Sequence, residues 1–122
     1  LKRLILSLVV ALVALAVTAS VSARSTAAPI KLAGTVGPGF TITLKKAGTK
    51  VTKLKPGKYS IQVNDRSADH NFHLKGPGVN KMTQVPTTGT LKTPWVVTLK
   101  KGKYTYVCDP HALAMKGSFT VG

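Results

Sequence analysis

The segment Tyr106-Val107-Cys108-Asp109-Pro110-His111-Ala112-Leu113-Ala114-Met115-Lys116-Gly117 combines the signature of a strand with that of a metal site. It opens on aromatic and β-branched residues in an extended run. Pro110, which has no N–H to give to a ladder, then stops the run. A short loop placed there can turn His111 and Met115 back toward Cys108. Taken singly, a cysteine is usually a small buried hydrophobe and a methionine a core filler. In this order and at this spacing, with a histidine between them, thiol, imidazole and thioether instead make up the donor set of a transition metal.

The mixture favours copper. Thiolate and thioether stabilise Cu(I) while imidazole binds both Cu(I) and Cu(II). Zinc is usually given a closed tetrahedral set of Cys and His. A fourth ligand must come from elsewhere, and Asp69-His70-Asn71-Phe72-His73-Leu74 is the only other stretch that contains histidine. In an extended chain His70, Phe72 and Leu74 point to one side, Asn71 and His73 to the other. The apolar neighbours of His70 mark its side as the inward one, so this parity favours His70 as ligand and makes His73 an expected surface residue.

Outward from these two segments the chain reads as short β-branched and aromatic runs punctuated by Gly and Pro: 31–36, 40–44, 58–64, 71–74, 95–99, 103–108 and 117–121. No window carries a sustained helical stripe. Seven such runs in about 100 residues predict an all-β fold, an antiparallel two-sheet sandwich with Greek-key connections. Leu54-Lys55-Pro56-Gly57-Lys58-Tyr59 is echoed by Leu99-Lys100-Lys101-Gly102-Lys103-Tyr104. Each is a turn with glycine just before a strand, and each places a tyrosine where its hydroxyl can tie back to the preceding corner.

At the other end, Lys2 and Arg3 precede an uncharged run from Leu4 to Val21, and Val21-Ser22-Ala23 supplies the small residues of a cleavage site. Residues 1–23 are therefore expected to be a secretory signal peptide, 24–30 a linker, and 31–122 the folded, copper-binding domain. If uncleaved, the uncharged stretch is just long enough to anchor the protein in a membrane, which takes roughly 20 residues. The expected location is exported: periplasmic or extracellular.

The chain has 122 residues, one cysteine and no glutamate. The single thiol excludes an internal disulfide, and in an oxidising compartment it must be buried or bound, which again points to a ligand. Of the 18 basic residues two lie in the leader, so the remainder carries 16 against three acids (Asp65, Asp69, Asp109), a formal charge of +13. Such a field draws in anionic partners: an acidic protein surface, an anionic leaflet or a wall polymer. Export and the absence of a nucleic-acid-binding motif argue against nucleic acid.

The segment resembles the cupredoxin family of plastocyanin, azurin, pseudoazurin and amicyanin, in which a Cys, His, Met loop near the C-terminus joins an upstream His-Asn pair. Cys108-Asp109-Pro110-His111 is similar to plastocyanin's Cys-x-Pro-His, and His70-Asn71 to the pair. The spacing from His111 to Met115 follows azurin, while that from Cys108 to His111 follows plastocyanin. The resemblance implies one type 1 copper held by His70, Cys108, His111 and Met115, with Met115 on a long axial bond. It also implies that Asn71 pins the two ligand-bearing loops together, and Asp109, where plastocyanin has serine, is placed to accept from its amide. The implied function is one-electron transfer by a monomer to a redox protein partner with an acidic docking surface. The exposed edge of His111 would be the port, ringed by Pro110, Ala112, Leu113, Pro38 and Phe40. A copper carrier delivering metal to an exported oxidase would use the same ligands in an exchangeable site. Copper enzymes need further histidine clusters, and the three histidines here are already accounted for.

Overall fold

The computed structural model describes Ser20 and residues 26–122. Apart from Ser20, the expected leader lies outside the described residues, as do Arg24 and Ser25 of the expected linker. Eleven strands follow: β1 (Ile30–Val36), β2 (Ile42–Lys46), β3 (Thr49–Lys50), β4 (Lys53–Leu54), β5 (Gly57–Asp65), β6 (His73–Gly76), β7 (Val79–Met82), β8 (Gly89–Thr90), β9 (Trp95–Leu99), β10 (Gly102–Val107) and β11 (Lys116–Val121). All seven expected runs are present, with ends shifted by two residues at most. The short strands β3, β4, β7 and β8 were not foreseen, since two to four residues carry no readable alternation.

The strands form a two-sheet sandwich. One sheet runs β3-β2-β1-β5-β8, with β9 also paired to β5, and the other β4-β11-β10-β6-β7. Both sheets are mixed where purely antiparallel ones were expected: β1 lies parallel to β5, and β11 parallel to β4. The cause is topological. Strands β2 to β4 intervene between β1 and β5 and reach over to the other sheet, and such a crossover lets two strands lie side by side in the same direction.

Alternation fixes the core. Tyr59, Ile61 and Val63 of β5 are buried, and so are Tyr104 and Tyr106 of β10 and Phe119 and Val121 of β11. Phe72 stacks on Tyr106 at 5.6 Å, and Tyr104 on Phe119 at 5.2 Å. The two β10 tyrosines each lie over a neighbouring-strand glycine, Tyr104 over Gly76 and Tyr106 over Gly117, and a Cβ at either glycine would run into the ring. The echoed turns behave as expected: the Tyr59 hydroxyl donates to the Lys55 carbonyl at 2.7 Å, and the Tyr104 hydroxyl accepts from Lys100 N at 2.9 Å.

Because β1 and β5 run the same way, the Gly37 turn and the 66–72 loop leave the same end of the sandwich. The antiparallel β10 delivers Cys108 to that end as well. The topology therefore gathers the chemically informative residues at one pole.

Candidate metal centre

Cys108 leaves β10 in an extended conformation (φ −91°, ψ 113°), and Asp109-Pro110-His111 then makes one 3₁₀ turn with Pro110 near its start. Proline suits that place, since a first-turn N–H has no partner within the helix. The loop closes on itself: His111 N donates to the Cys108 carbonyl at 3.0 Å, Met115 N to the His111 carbonyl at 2.9 Å, and Cys108 N to the Met115 carbonyl at 3.0 Å. Cys108 and Met115 are thereby held at its two roots, both fully buried.

His70 approaches from the 66–72 loop and is also buried. Gly37 makes room for it, with φ +71°; a Cβ there would lie 3.2 Å from the His70 ring and 3.0 Å from Ser67. Nε2 of His70 lies 3.1 Å from the Gly39 carbonyl. A carbonyl can only accept, so Nε2 carries a proton and Nδ1 is the ring nitrogen turned toward His111 and Cys108. His70 Nδ1 lies 3.1 Å from His111 Nδ1, and His111 Nδ1 lies 3.5 Å from the Cys108 sulfur. Among the described residues these three form a cluster whose ligand atoms all lie within 4.8 Å of one another.

This arrangement fits a single ion. Donors sharing one metal at bonds of about 2.0 Å to nitrogen and about 2.3 Å to sulfur lie roughly 3 to 4 Å apart. One soft sulfur with two imidazole nitrogens is the set that binds copper in both its oxidation states. Of the four residues named from the sequence, the geometry brings the donor atoms of His70, Cys108 and His111 together and places buried Met115 at the root of the same loop.

Asn71 and Asp109 form the expected clamp. Asn71 Nδ2 donates to Asp109 Oδ2 at 2.8 Å, and Asp109 N donates to Asn71 Oδ1 at 2.7 Å. Sequence reasoning missed a third member. His73, expected at the surface, is buried, and its Nδ1 donates to the same carboxylate at 2.8 and 2.9 Å while its Nε2 lies 2.6 Å from Asn80 Oδ1. The parity was right, since Asn71 and His73 do share a side opposite His70, but the ligand loop and β7 cover that side. Burial pushes the Asp109 carboxyl up, but the hydrogen bonds from Asn71 and His73, with attraction to His73 and Lys75, outweigh it and hold the group below the usual carboxylate range.

The outer edge of His111 faces a rim of apolar residues interrupted by Ser67 and Asp69. Phe40, 67% exposed, packs edge-on against it at 5.0 Å, Leu113 is 92% exposed, and Pro38, Val85 and Pro110 line the same hollow.

Sandwich and cluster together define a copper-binding β-protein whose metal cluster, among the described residues, sits at one pole. Residues 39–122 match the family described as copper binding proteins, plastocyanin/azurin family, and the chain belongs to that family. Its cofactor is one copper ion. Amicyanin-alpha of Methylorubrum extorquens is 35% identical over 81 residues, covering 66% of this chain and 67% of that one. Among solved structures, a methionine-to-glutamine mutant of rusticyanin (TM-score 0.52, 20% identity, 75% of this chain and 76% of that one) shares the fold. So does reduced rusticyanin (TM-score 0.51, 20% identity, 75% and 78%).

Proposed function

We propose that the protein is an exported one-electron carrier, not an enzyme, in which His70, Cys108, His111 and Met115 hold one copper that cycles between Cu(I) and Cu(II). The observation that carries this is the convergence of a buried thiol and two imidazole Nδ1 atoms on one point, with Pro38, Phe40, Val85 and Pro110 just outside.

Each residue has a part in keeping the site unchanged between the two states. Gly39 fixes the ring and tautomer of His70 through its carbonyl. Burial of Cys108 and Met115 excludes water from the sulfur side. The Asn71–Asp109–His73 clamp ties the ligand loop to β6, so that Cys108 and His111 move only if the sheet moves. His111 alone is part exposed, so an electron enters or leaves through its ring edge. Pro38, Phe40 and Val85 beside it suit brief docking, and because Arg66, Lys81 and Lys116 only offset the acids at this pole, it is the net positive charge of the whole domain that draws a monomeric carrier toward an acidic face on the redox partner.

The visible absorption spectrum after one equivalent of Cu(II) is the direct test. An intense thiolate-to-copper band is expected, absent in Cys108→Ser and displaced or weakened in Met115→Leu. Its absence from the wild-type protein would refute the reading. Reversible reduction without metal loss to a chelator supports the electron carrier over copper delivery. Recovery of the protein outside the cytoplasm, either with its N-terminus at Arg24 or with the apolar run retained as an anchor, would support export, and rates independent of ionic strength would refute the acidic partner.

A further inference from the structure

We infer that the pole of the sandwich opposite the copper site is a docking surface for an anionic lipid bilayer. The acids of this molecule are confined to one side, while its basic residues lie on both and are densest on the other. All three acids of the chain lie at the copper pole: Asp65 ends β5, Asp69 lies in the loop before His70, and Asp109 follows Cys108.

The opposite pole holds lysine. Lys45, Lys46, Lys50, Lys53 and Lys55 come from β2, β3, β4 and the turn after it, and all are exposed. Lys46 and Lys53 border one shallow cleft with Lys55 and a second with Lys50, so these four share one continuous surface. The turn from β9 to β10 adds Lys100 and Lys101, with Lys103 just beyond it. Lys31 and Lys58 stand near the starts of β1 and β5, which leave the same end, since Ile30 pairs with Tyr59 and Gly57 with Leu99. Ten exposed lysines thus occupy a half of the domain that holds no carboxylate side chain.

The position of the N-terminus selects a bilayer among anionic partners. Ile30 lines the same cleft as Lys46, Lys53 and Lys55, so the chain enters the fold at the basic pole. The uncharged run Leu4–Val21 precedes it. Six residues, 24–29, separate Ala23 from β1 and span at most about 20 Å. In the uncleaved alternative for residues 1–23, the apolar run left in place anchors the chain and keeps the lysine pole close to the headgroups, where attraction acts over a Debye length of about 8 Å. A nucleic acid or an acidic protein would feel the same lysines, but only a bilayer is brought to this pole by the chain's own apolar run. Docked in this way, the carrier presents His111 away from the membrane; that consequence rests on the electron-carrier reading, while the docking surface does not.

Hydrogen–deuterium exchange tests the surface without reference to copper, so failure of either reading leaves the other standing. The full chain is reconstituted in vesicles of neutral phosphatidylcholine, with and without added phosphatidylglycerol. Slowed exchange is expected in residues 45–58 and 99–103 in anionic vesicles only, reversed by high salt, with 108–114 unaffected. One lysine near an anionic surface is worth about a five-fold gain in partition. The combined Lys46→Gln, Lys50→Gln, Lys53→Gln, Lys55→Gln variant should therefore lose docking on the order of several hundred-fold and exchange as in neutral vesicles. Equal protection in neutral vesicles, protection at the copper pole instead, or protection retained by the variant would overturn the proposal. So would equal protection by double-stranded DNA at matched charge, which would mark a general polyanion surface.

Discussion

Truncating Asn71 tests whether the ligand loop is held by the sheet. Asn71→Ala removes two hydrogen bonds, one to the Asp109 carboxylate at 2.8 Å and one from the Asp109 amide at 2.7 Å. A hydrogen bond to a charged group contributes about 1.5 to 3 kcal/mol and a neutral one about 0.5 to 1.5. The first must be discounted, because the Asp109 side chain is 41% exposed and keeps His73, so water and imidazole refill its valence. The second cannot be recovered so easily, since the amide lies against buried Asn71. The net cost is about 2 kcal/mol, which for a domain of this size lowers the melting temperature by roughly 8 to 16 °C. Calorimetry on copper-free protein measures the structural part, and copper release to a chelator measures the effect on the site, which should be faster. Asn71→Asp sharpens the test: it keeps the acceptor for the Asp109 amide but sets a second carboxylate against the first, so it should be no more stable than Asn71→Ala at neutral pH. Melting and copper release both unchanged in Asn71→Ala would refute the argument that the clamp positions the loop.

Tyr104→Phe should cost about 1 to 2 kcal/mol in chemical denaturation, because a buried hydroxyl that accepts from Lys100 N and lies 3.0 Å from the Lys100 and Pro77 carbonyls is lost. An unaltered midpoint would show that the corner does not depend on it. Gly117→Ala places a methyl where the Tyr106 ring lies, and the ring cannot retreat without disturbing Phe72; a loss of about 1 to 3 kcal/mol and altered aromatic circular dichroism are expected. Burial raises the Asp65 carboxyl above its ordinary range, and hydrogen bonds from Ser67 N and Thr83 Oγ1, with attraction to His70, offset only part of this. A carboxyl raised on folding favours the native state below its unfolded pKa, and that contribution is lost as pH rises through the folded pKa. Asp65→Asn, which cannot ionise, should therefore gain on the wild type between acid and neutral pH in copper-free denaturation. A constant difference, or one of opposite sign, would refute the burial argument.

What could be read in the sequence, and what could not, divides along a physical line. Runs such as Tyr104, Tyr106 and Cys108 show their strand because every second side chain must be buried, and alternation is a property of the segment alone. The ligand loop was legible for a related reason: Pro110 ends the strand at a known residue, so Cys108 and His111 are fixed within a few bonds of each other. The parallel pairing of β1 with β5 could not be read, because it depends on how the intervening chain crosses between sheets, and no local pattern in 42–54 records that path. His73 failed for the complementary reason. Its side of the strand was assigned correctly, but whether that side meets solvent depends on what is laid over it, here the Asp109 turn and Asn80 of β7. A histidine whose neighbours are Asn71 and Asp109 offers polar atoms where an apolar contact would mark a core, so a buried polar network looks like surface until the covering strand is known. The site therefore has two layers of different legibility. The sulfur and nitrogen donors announce themselves by chemical type and the Asn71–Asp109 pair by the family resemblance, whereas the part played by His73 is visible only once folding has brought it to Asp109.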